Sequence, residues 1–276
     1  MSESAAPVGN VRRFPLLGMV MGVIVLACLA VALVGPWIAP YRPGQIVGSQ
    51  IFGGMTASHP LGTDALGRDM LSRILVGARY TIGVALPATL GASLAGTTLG
   101  LLAASQGGAA DAVLSRAMDV LITFPSLIFS MVVVSAFGSS VPILILAAAV
   151  IYAPGCYRIM RSIAVDIEAT DFVRVARARG ERNAAIMFGE ILPNMIAPVL
   201  TDFGLRFVFI VLLLSSLSFL GLGIQPPLAD WGGLVRENIE GLSVGAPAVI
   251  APAAAIAVLT VAVNLLIDNL PRGWRR

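Results

Sequence analysis

Charged residues are spread so thinly along this chain that the gaps between them draw its outline. Five long stretches carry no Asp, Glu, Lys or Arg: Arg13 to Arg42, Arg79 to Asp111, Asp119 to Arg158, Arg206 to Asp230, and Glu240 to Asp268. A helix that crosses a bilayer needs about 20 predominantly apolar residues, so four of these hold one span each. The third runs for 38 residues and contains Gly138-Ser139-Ser140-Val141-Pro142, a turn sequence, so it reads as a hairpin of two spans. The predicted spans are 16–39, 81–105, 120–137, 143–160, 198–222 and 247–267, and the fold class is an all-α polytopic membrane protein with six transmembrane helices. The first run is too long for a signal-peptide core and no Ala-x-Ala site follows it, so it is read as a retained span.

Two hydrophilic stretches separate the spans. In the first, Pro60 and Gly62 form a turn and Thr63 or Asp64 is placed to cap a helix. At 100° per residue Leu66, Met70, Leu71, Ile74, Leu75 and Ala78 share one half of the wheel, with Arg68, Asp69, Ser72, Arg73 and Arg79 on the other. That separation predicts a helix lying at the membrane surface ahead of span two, serving as an interfacial anchor or as a contact for an external partner. In the second stretch, Thr170 or Asp171 starts a short helix that Gly180 ends in the left-handed conformation. Phe172, Val173 and Ala176 share an arc opposite Arg174 and Arg177. A second short helix over about 181–192 ends at Pro193, so the pair makes a rigid knob.

Composition sharpens this picture. Hydrophobic residues are 57% and charged residues 12%, about half the charged share of a soluble protein. All 18 basic residues are arginine. Without lysine the chain has no P-loop, and any ATP hydrolysis tied to it occurs on another polypeptide. A net charge of +3 gives no footprint for nucleic acid. Six spans put both termini on one side. With a cytoplasmic amino terminus, and leaving aside Arg206 near the inner end of span five, twelve arginines fall inside and five (Arg42, Arg68, Arg73, Arg79, Arg236) outside; the positive-inside rule therefore predicts that both termini are cytoplasmic.

Little chemistry is available for catalysis or metal binding. His59 is the only histidine and lies outside the spans, where a turn or structural role fits it. Cys28 and Cys156 sit in apolar runs and read as packing residues. Ser215, Ser216 and Ser218 lie in span five without a base at membrane depth, so the chain is read as no enzyme, with neither cofactor nor metal of its own. Asp202 and Arg206 are spaced i,i+4 near the inner end of span five and predict a same-helix ion pair, either snorkelling to the interface or marking a pathway. Asp119 enters span three just before Pro125, which kinks it. Asp119, Asp202 and Arg206 are the candidate pathway or gate residues. Gly18-x-x-x-Gly22 and Gly96-x-x-x-Gly100 predict close helix contacts.

Ala176-x-x-x-Gly180 followed by Leu192-Pro193 resembles the loop motif of ATP-binding-cassette importer permeases. Arg174 and Val175 replace the first two residues of the general Glu-Ala-Ala form, and Glu190 stands where that form has isoleucine. Asp171-Phe172-Val173, Ala176-Arg177-Ala178, Gly180 and Leu192-Pro193-Asn194 are similar to the second permease subunit of dipeptide, oligopeptide and nickel importers. So are His59-Pro60-Leu61-Gly62-Thr63-Asp64 with Leu66-Gly67-Arg68-Asp69, Asp119 with Phe124-Pro125, Ser218-Phe219-Leu220-Gly221-Leu222-Gly223, and Trp231-Gly232. The resemblance implies a type I importer fold with a cytoplasmic tail at 1–15, a first helix at 16–39 and an extracytoplasmic segment with an interfacial helix at 40–80. A five-helix core follows at 81–268, with a coupling loop at 161–197, and then a second tail at 269–276. It implies a paralogous permease as heterodimer partner, two cytosolic ATPase subunits that use the ATP, an extracytoplasmic solute-binding protein, and a bacterial or archaeal cytoplasmic membrane. Asp171, Phe172, Val173, Ala176, Gly180, Leu192 and Pro193 would couple ATP use to alternating access. The runner-up class is an ion-coupled secondary transporter, which would leave the knob without a purpose and for which no internal repeat is visible. Peptides, nickel and other small polar solutes all stay open as substrates.

Overall fold

The computed structural model describes residues 15–269 other than Ser49. Both expected terminal tails, 1–15 and 269–276, lie almost wholly outside the described residues. The elements are α1 (Pro15–Ile38), α2 (Met70–Gln106), α3 (Gly108–Ile122), α4 (Ser126–Phe137), α5 (Val141–Glu168), α6 (Asp171–Ala178) and the single turn α7 (Asn183–Ala185). A π-helical stretch over Ile186–Ile191 leads into α8 (Leu192–Phe219), which is followed by α9 (Trp231–Glu237), a 3₁₀ segment at Ile239–Val244, and α10 (Pro247–Asp268). Five helical runs are long and apolar enough to cross a membrane, and α3 with α4 makes a sixth if that bent pair counts as one span.

Helix α2 is the spine, and α5 is its main neighbour. Their backbones approach closely at Gly96 and Gly100, as the small-residue spacing predicts. A Cβ on Gly96 would lie 2.5 Å from the Cys156 Cβ, and one on Gly100 would lie 2.8 Å from the Arg161 backbone nitrogen. Cys156 is fully buried at this contact and Cys28 is unpaired. Gly18 and Gly22 face Asn269 and Leu266, so α1 packs on α10. One apolar core joins α2, α4, α5, α8 and α10. A second gathers Leu101, Met160, Val173, Ala176, Ile186 and Met195 beneath the knob.

Three expectations are corrected here. First, no separate surface helix precedes span two. Met70 opens a single 37-residue helix capped by Asp69, whose carboxylate accepts the Ser72 N–H at 2.8 Å. Thr63 and Asp64 do not cap it, because Asp64 is committed elsewhere. Second, span three is broken rather than kinked, since α3 and α4 meet at 85°. Pro125 has no N–H and biases Phe124 away from helix, while the Thr123 hydroxyl donates to Val120 O at 2.6 Å. Alone, α4 has 12 residues, about 18 Å of helix, too short to span. Third, Pro193 does not end the second short helix. It lies directly after a π-helical stretch at the start of α8, and the helical run continues unbroken over Asn183–Phe219. The preceding π-helical stretch absorbs the change in hydrogen-bond register, and Asn194 Nδ2 donates to Glu190 O at 2.6 Å. Helix α5 likewise extends to Glu168, so 161–168 of the expected loop is helix.

Candidate functional site

The knob at 171–191 is held by its own backbone. Helix α6 ends with the Gly180 N–H donating to Arg177 O (3.0 Å) and the Glu181 N–H to Ala176 O (3.3 Å), while Gly180 has φ +76°. These crossed bonds define a Schellman cap. They give the Ala-x-x-x-Gly spacing its cause: the residue four before the left-handed glycine supplies the carbonyl that the turn closes on. Val173 and Ala176 are buried against the second core, whereas Phe172 is 43% exposed. Of the three residues on that arc, Phe172 is thus the one at its exposed edge. Val175 and Phe188 of the knob are likewise exposed apolar side chains. Arg177 pairs with Glu168 at the end of α5, and Arg174 pairs loosely with the exposed Asp171. Leu192 and Pro193 line an apolar recess with Phe188.

At the other end of the bundle the His59–Asp69 string folds into a clamp. Asp64 is wholly buried. Its Oδ1 accepts the backbone N–H groups of Leu66 and Arg68, both at 2.8 Å, and its Oδ2 accepts Arg68 Nε (2.6 Å) and Arg73 Nη1 (2.7 Å). Both arginines also donate to Glu237 Oε2 on α9, at 2.6 and 2.8 Å. Asn238 receives the Ala65 N–H at 3.0 Å. His59 Nδ1 lies 3.0 Å from Asp69 Oδ1, which is a structural role. Gly62 and Gly67 sit at the turns of this string, Leu61 packs on the main core, and Thr63 bridges to Asp69. Pro60 lies in the turn between His59 and Gly62. Arg68 and Arg73, expected to meet solvent or headgroups, instead face α9, because four complementary charges cancel there, while Arg79 stays exposed. Beside it, Asp230 caps α9, accepting Gly233 N–H at 3.0 Å and the Ser218 hydroxyl at 2.8 Å. Burial pushes this carboxyl up to about 6. Trp231 donates from Nε1 to Ile74 O (3.0 Å) and from its backbone to Thr81 Oγ1 (2.9 Å), locking α9 onto α2.

Between these ends lies a cavity of about 510 Å³ at the elbow of α3 and α4, walled by α5 and α8. Arg206 lines it. Its guanidinium grips Asp202 through Nε (2.6 Å) and Nη2 (2.8 Å) and donates from Nη1 to Tyr152 O at 3.0 Å. The expected same-helix pair is present, and it is buried and bridged to α5 rather than reaching outward. Asp119 is exposed on α3 and does not join it. Sequence reasoning overlooked Glu237 as the clamp's second acid, and Asp111, which holds Arg161 of α5 in a two-pronged pair reinforced by Ser115 and Tyr157 at 2.8 Å. Among the described residues, no group of three or more His, Cys, Asp or Glu could hold a metal ion.

Apolar helices long enough to cross a membrane, a chamber among them lined by one arginine of a buried ion pair, and a rigid knob fit a component of a transport pore. Residues 96–276 match the family described as binding-protein-dependent transport system inner membrane component. The chain is 33% identical over 250 residues to a glutathione transport system permease protein of Pectobacterium atrosepticum, covering 90% of this chain and 83% of that protein. It is 32% identical to a dipeptide transport system permease protein of Alkalihalophilus pseudofirmus (90% and 82% covered) and 31% identical to a di/tripeptide transport system permease protein of Pseudomonas aeruginosa (92% and 84% covered). The chain belongs to this family. It is a permease subunit of a binding-protein-dependent ATP-binding-cassette importer, a multi-pass inner-membrane transport protein rather than an enzyme.

Proposed function

We propose that this chain forms one half of the pore of a peptide importer. A paralogous permease completes the pore, two cytosolic subunits hydrolyse the ATP, and an extracytoplasmic protein delivers the solute. Both termini and the knob face the cytoplasm of a bacterial or archaeal cell, and the 40–69 clamp faces outward. Peptides are preferred over nickel because the relatives carry peptide and glutathione names.

One observation carries the coupling role: the knob is anchored to the spans through Val173 and Ala176 while presenting Phe172 and Val175 outward. A groove on an ATPase subunit that grips this apolar surface would move α5 and α8 with it. The residues in that role are Asp171, Phe172, Val173, Ala176, Gly180, Leu192 and Pro193. The experiment is purification of the assembled complex and ATP-dependent peptide uptake into proteoliposomes, comparing wild type with Gly180→Val and Gly180→Asn. A side chain at φ +76° costs about 1–2 kcal/mol, less for asparagine. Valine is expected to abolish uptake and solute-stimulated ATPase together at normal abundance, and asparagine to retain more of both. Full activity in the valine variant would refute the coupling role, and an active complex without an ATPase subunit would refute the importer reading.

A further inference from the structure

We infer that the cavity at the α3–α4 elbow binds the carboxylate end of the solute in transit, with Arg158 as its ligand. This rests on the importer reading, in which a second permease covers the exposed faces of α4 and α8. Those faces carry Ile128, Val132, Phe209 and Leu212, all more than 40% exposed, and Phe209 stacks on Tyr152 of the cavity wall. Its lining holds two arginines and no acid. Arg206 is already neutralised by Asp202 through two hydrogen bonds and is spent on Tyr152 O with a third. Arg158 differs. It is exposed, lies one turn along α5 from Pro154, and has no carboxylate partner among the described residues.

The surroundings suit a bound carboxylate. Gly155 leaves room for the Arg206 guanidinium, since a Cβ there would lie 2.8 Å from Nη1, so the paired arginine is kept back in the wall. Tyr152 stacks on Phe209 with ring centroids 6.4 Å apart, forming an aromatic side to the chamber, and Ser126 supplies a hydroxyl at the start of α4. One uncompensated guanidinium in a lining that also holds an aromatic ring and a hydroxyl is suited to a single carboxylate, which a guanidinium binds through two parallel hydrogen bonds. The volume of about 510 Å³ falls in the range of small-molecule sites. Every free peptide carries a carboxylate at its C-terminus whatever its sequence, so this contact tolerates varied side chains.

The test uses the assembled transporter in proteoliposomes with its binding protein, and as probes trialanine and its carboxamide. The readout is the variant-to-wild-type uptake ratio for each probe, so that discrimination by the binding protein cancels. Arg158→Gln is expected to lower trialanine uptake about tenfold and to leave the carboxamide within about twofold. Equal loss of both, or loss of neither, overturns the inference. Should wild type carry no carboxamide, Arg158→Lys decides: recovery of trialanine uptake to within about threefold of wild type supports the carboxylate contact, and a loss equal to that of Arg158→Gln overturns it. If wild type takes up neither probe in an ATP-dependent way, the peptide-importer reading itself is overturned, a different result from any of these.

Discussion

Replacing Asp64 by asparagine removes one charge from a buried set of four. Asp64 is fully buried and its two oxygens accept four hydrogen bonds. An asparagine oxygen can keep the two from Leu66 and Arg68 N–H. Its NH2 would then point at the Arg68 and Arg73 guanidinium donors, which lose an acceptor and retain only Glu237. Two buried cations would share one carboxylate. Removing one partner from a buried ion set costs about 3–5 kcal/mol. Glu237 is 25% exposed, so water screens part of the excess charge and the lower end, about 3 kcal/mol, is expected. The assay is thermal unfolding of the purified complex in detergent, with Asp171→Asn as control because that side chain is 97% exposed and its pair is worth well under 1 kcal/mol. Adding Arg73→Gln to Asp64→Asn restores a one-to-one balance of Arg68 with Glu237. The double variant should therefore be at least about 1 kcal/mol more stable than the sum of the two single effects. If Asp64→Asn melts with the control, or the two changes add, the clamp is not an electrostatic unit.

Gly100→Leu should prevent assembly of α2 on α5: its Cβ would meet the Arg161 nitrogen at 2.8 Å and Tyr157 O at 3.1 Å, and overpacking of this kind costs about 1–3 kcal/mol or more. The measurement is the yield of folded protein in membranes, and Gly83→Leu, placed where a Cβ meets nothing, should be tolerated. Asp230, raised to about 6 by burial from ~3.9 in the unfolded chain, binds its proton more tightly when folded. Its contribution is fully present below about pH 4 and is lost as pH rises through about 6, a fall of roughly 3 kcal/mol. Asp230→Asn keeps an N-cap residue and should flatten that slope in melting temperatures taken between pH 4 and pH 7.5.

Periodicity and charge gaps located the long helices because membrane spans are read from composition alone, and α1 and α10 match their expected ranges to within a residue or two. The interruptions were harder to place. Pro125 and Pro193 look alike in sequence, yet one breaks a span and the other opens a helix. The difference lies in the upstream backbone: Thr123 bends back on Val120, whereas the stretch before Pro193 widens into a π-helical turn that leaves no donor needed at the proline. The knob was legible because a Schellman cap is local. The clamp was not, since Asp64 and Glu237 lie far apart in the chain and helical-wheel reasoning knows only one helix. A signal did exist. Residues 40–80 hold four arginines against two aspartates, while 224–246 hold three acids against one arginine, so each segment carries the charge that the other lacks.

That long separation gives the clamp a place in biogenesis. Its bonds join residues 164 and 169 positions apart, so a ribosome extending the chain from its amino terminus must complete α8 and α9 before Glu237 can arrive. Until then Arg68 and Arg73 share Asp64 alone at the head of α2. Closure of the clamp thus reports that the later spans have been inserted and that α9 has docked. A chain truncated before Glu237 leaves two arginines to one carboxylate at the head of α2.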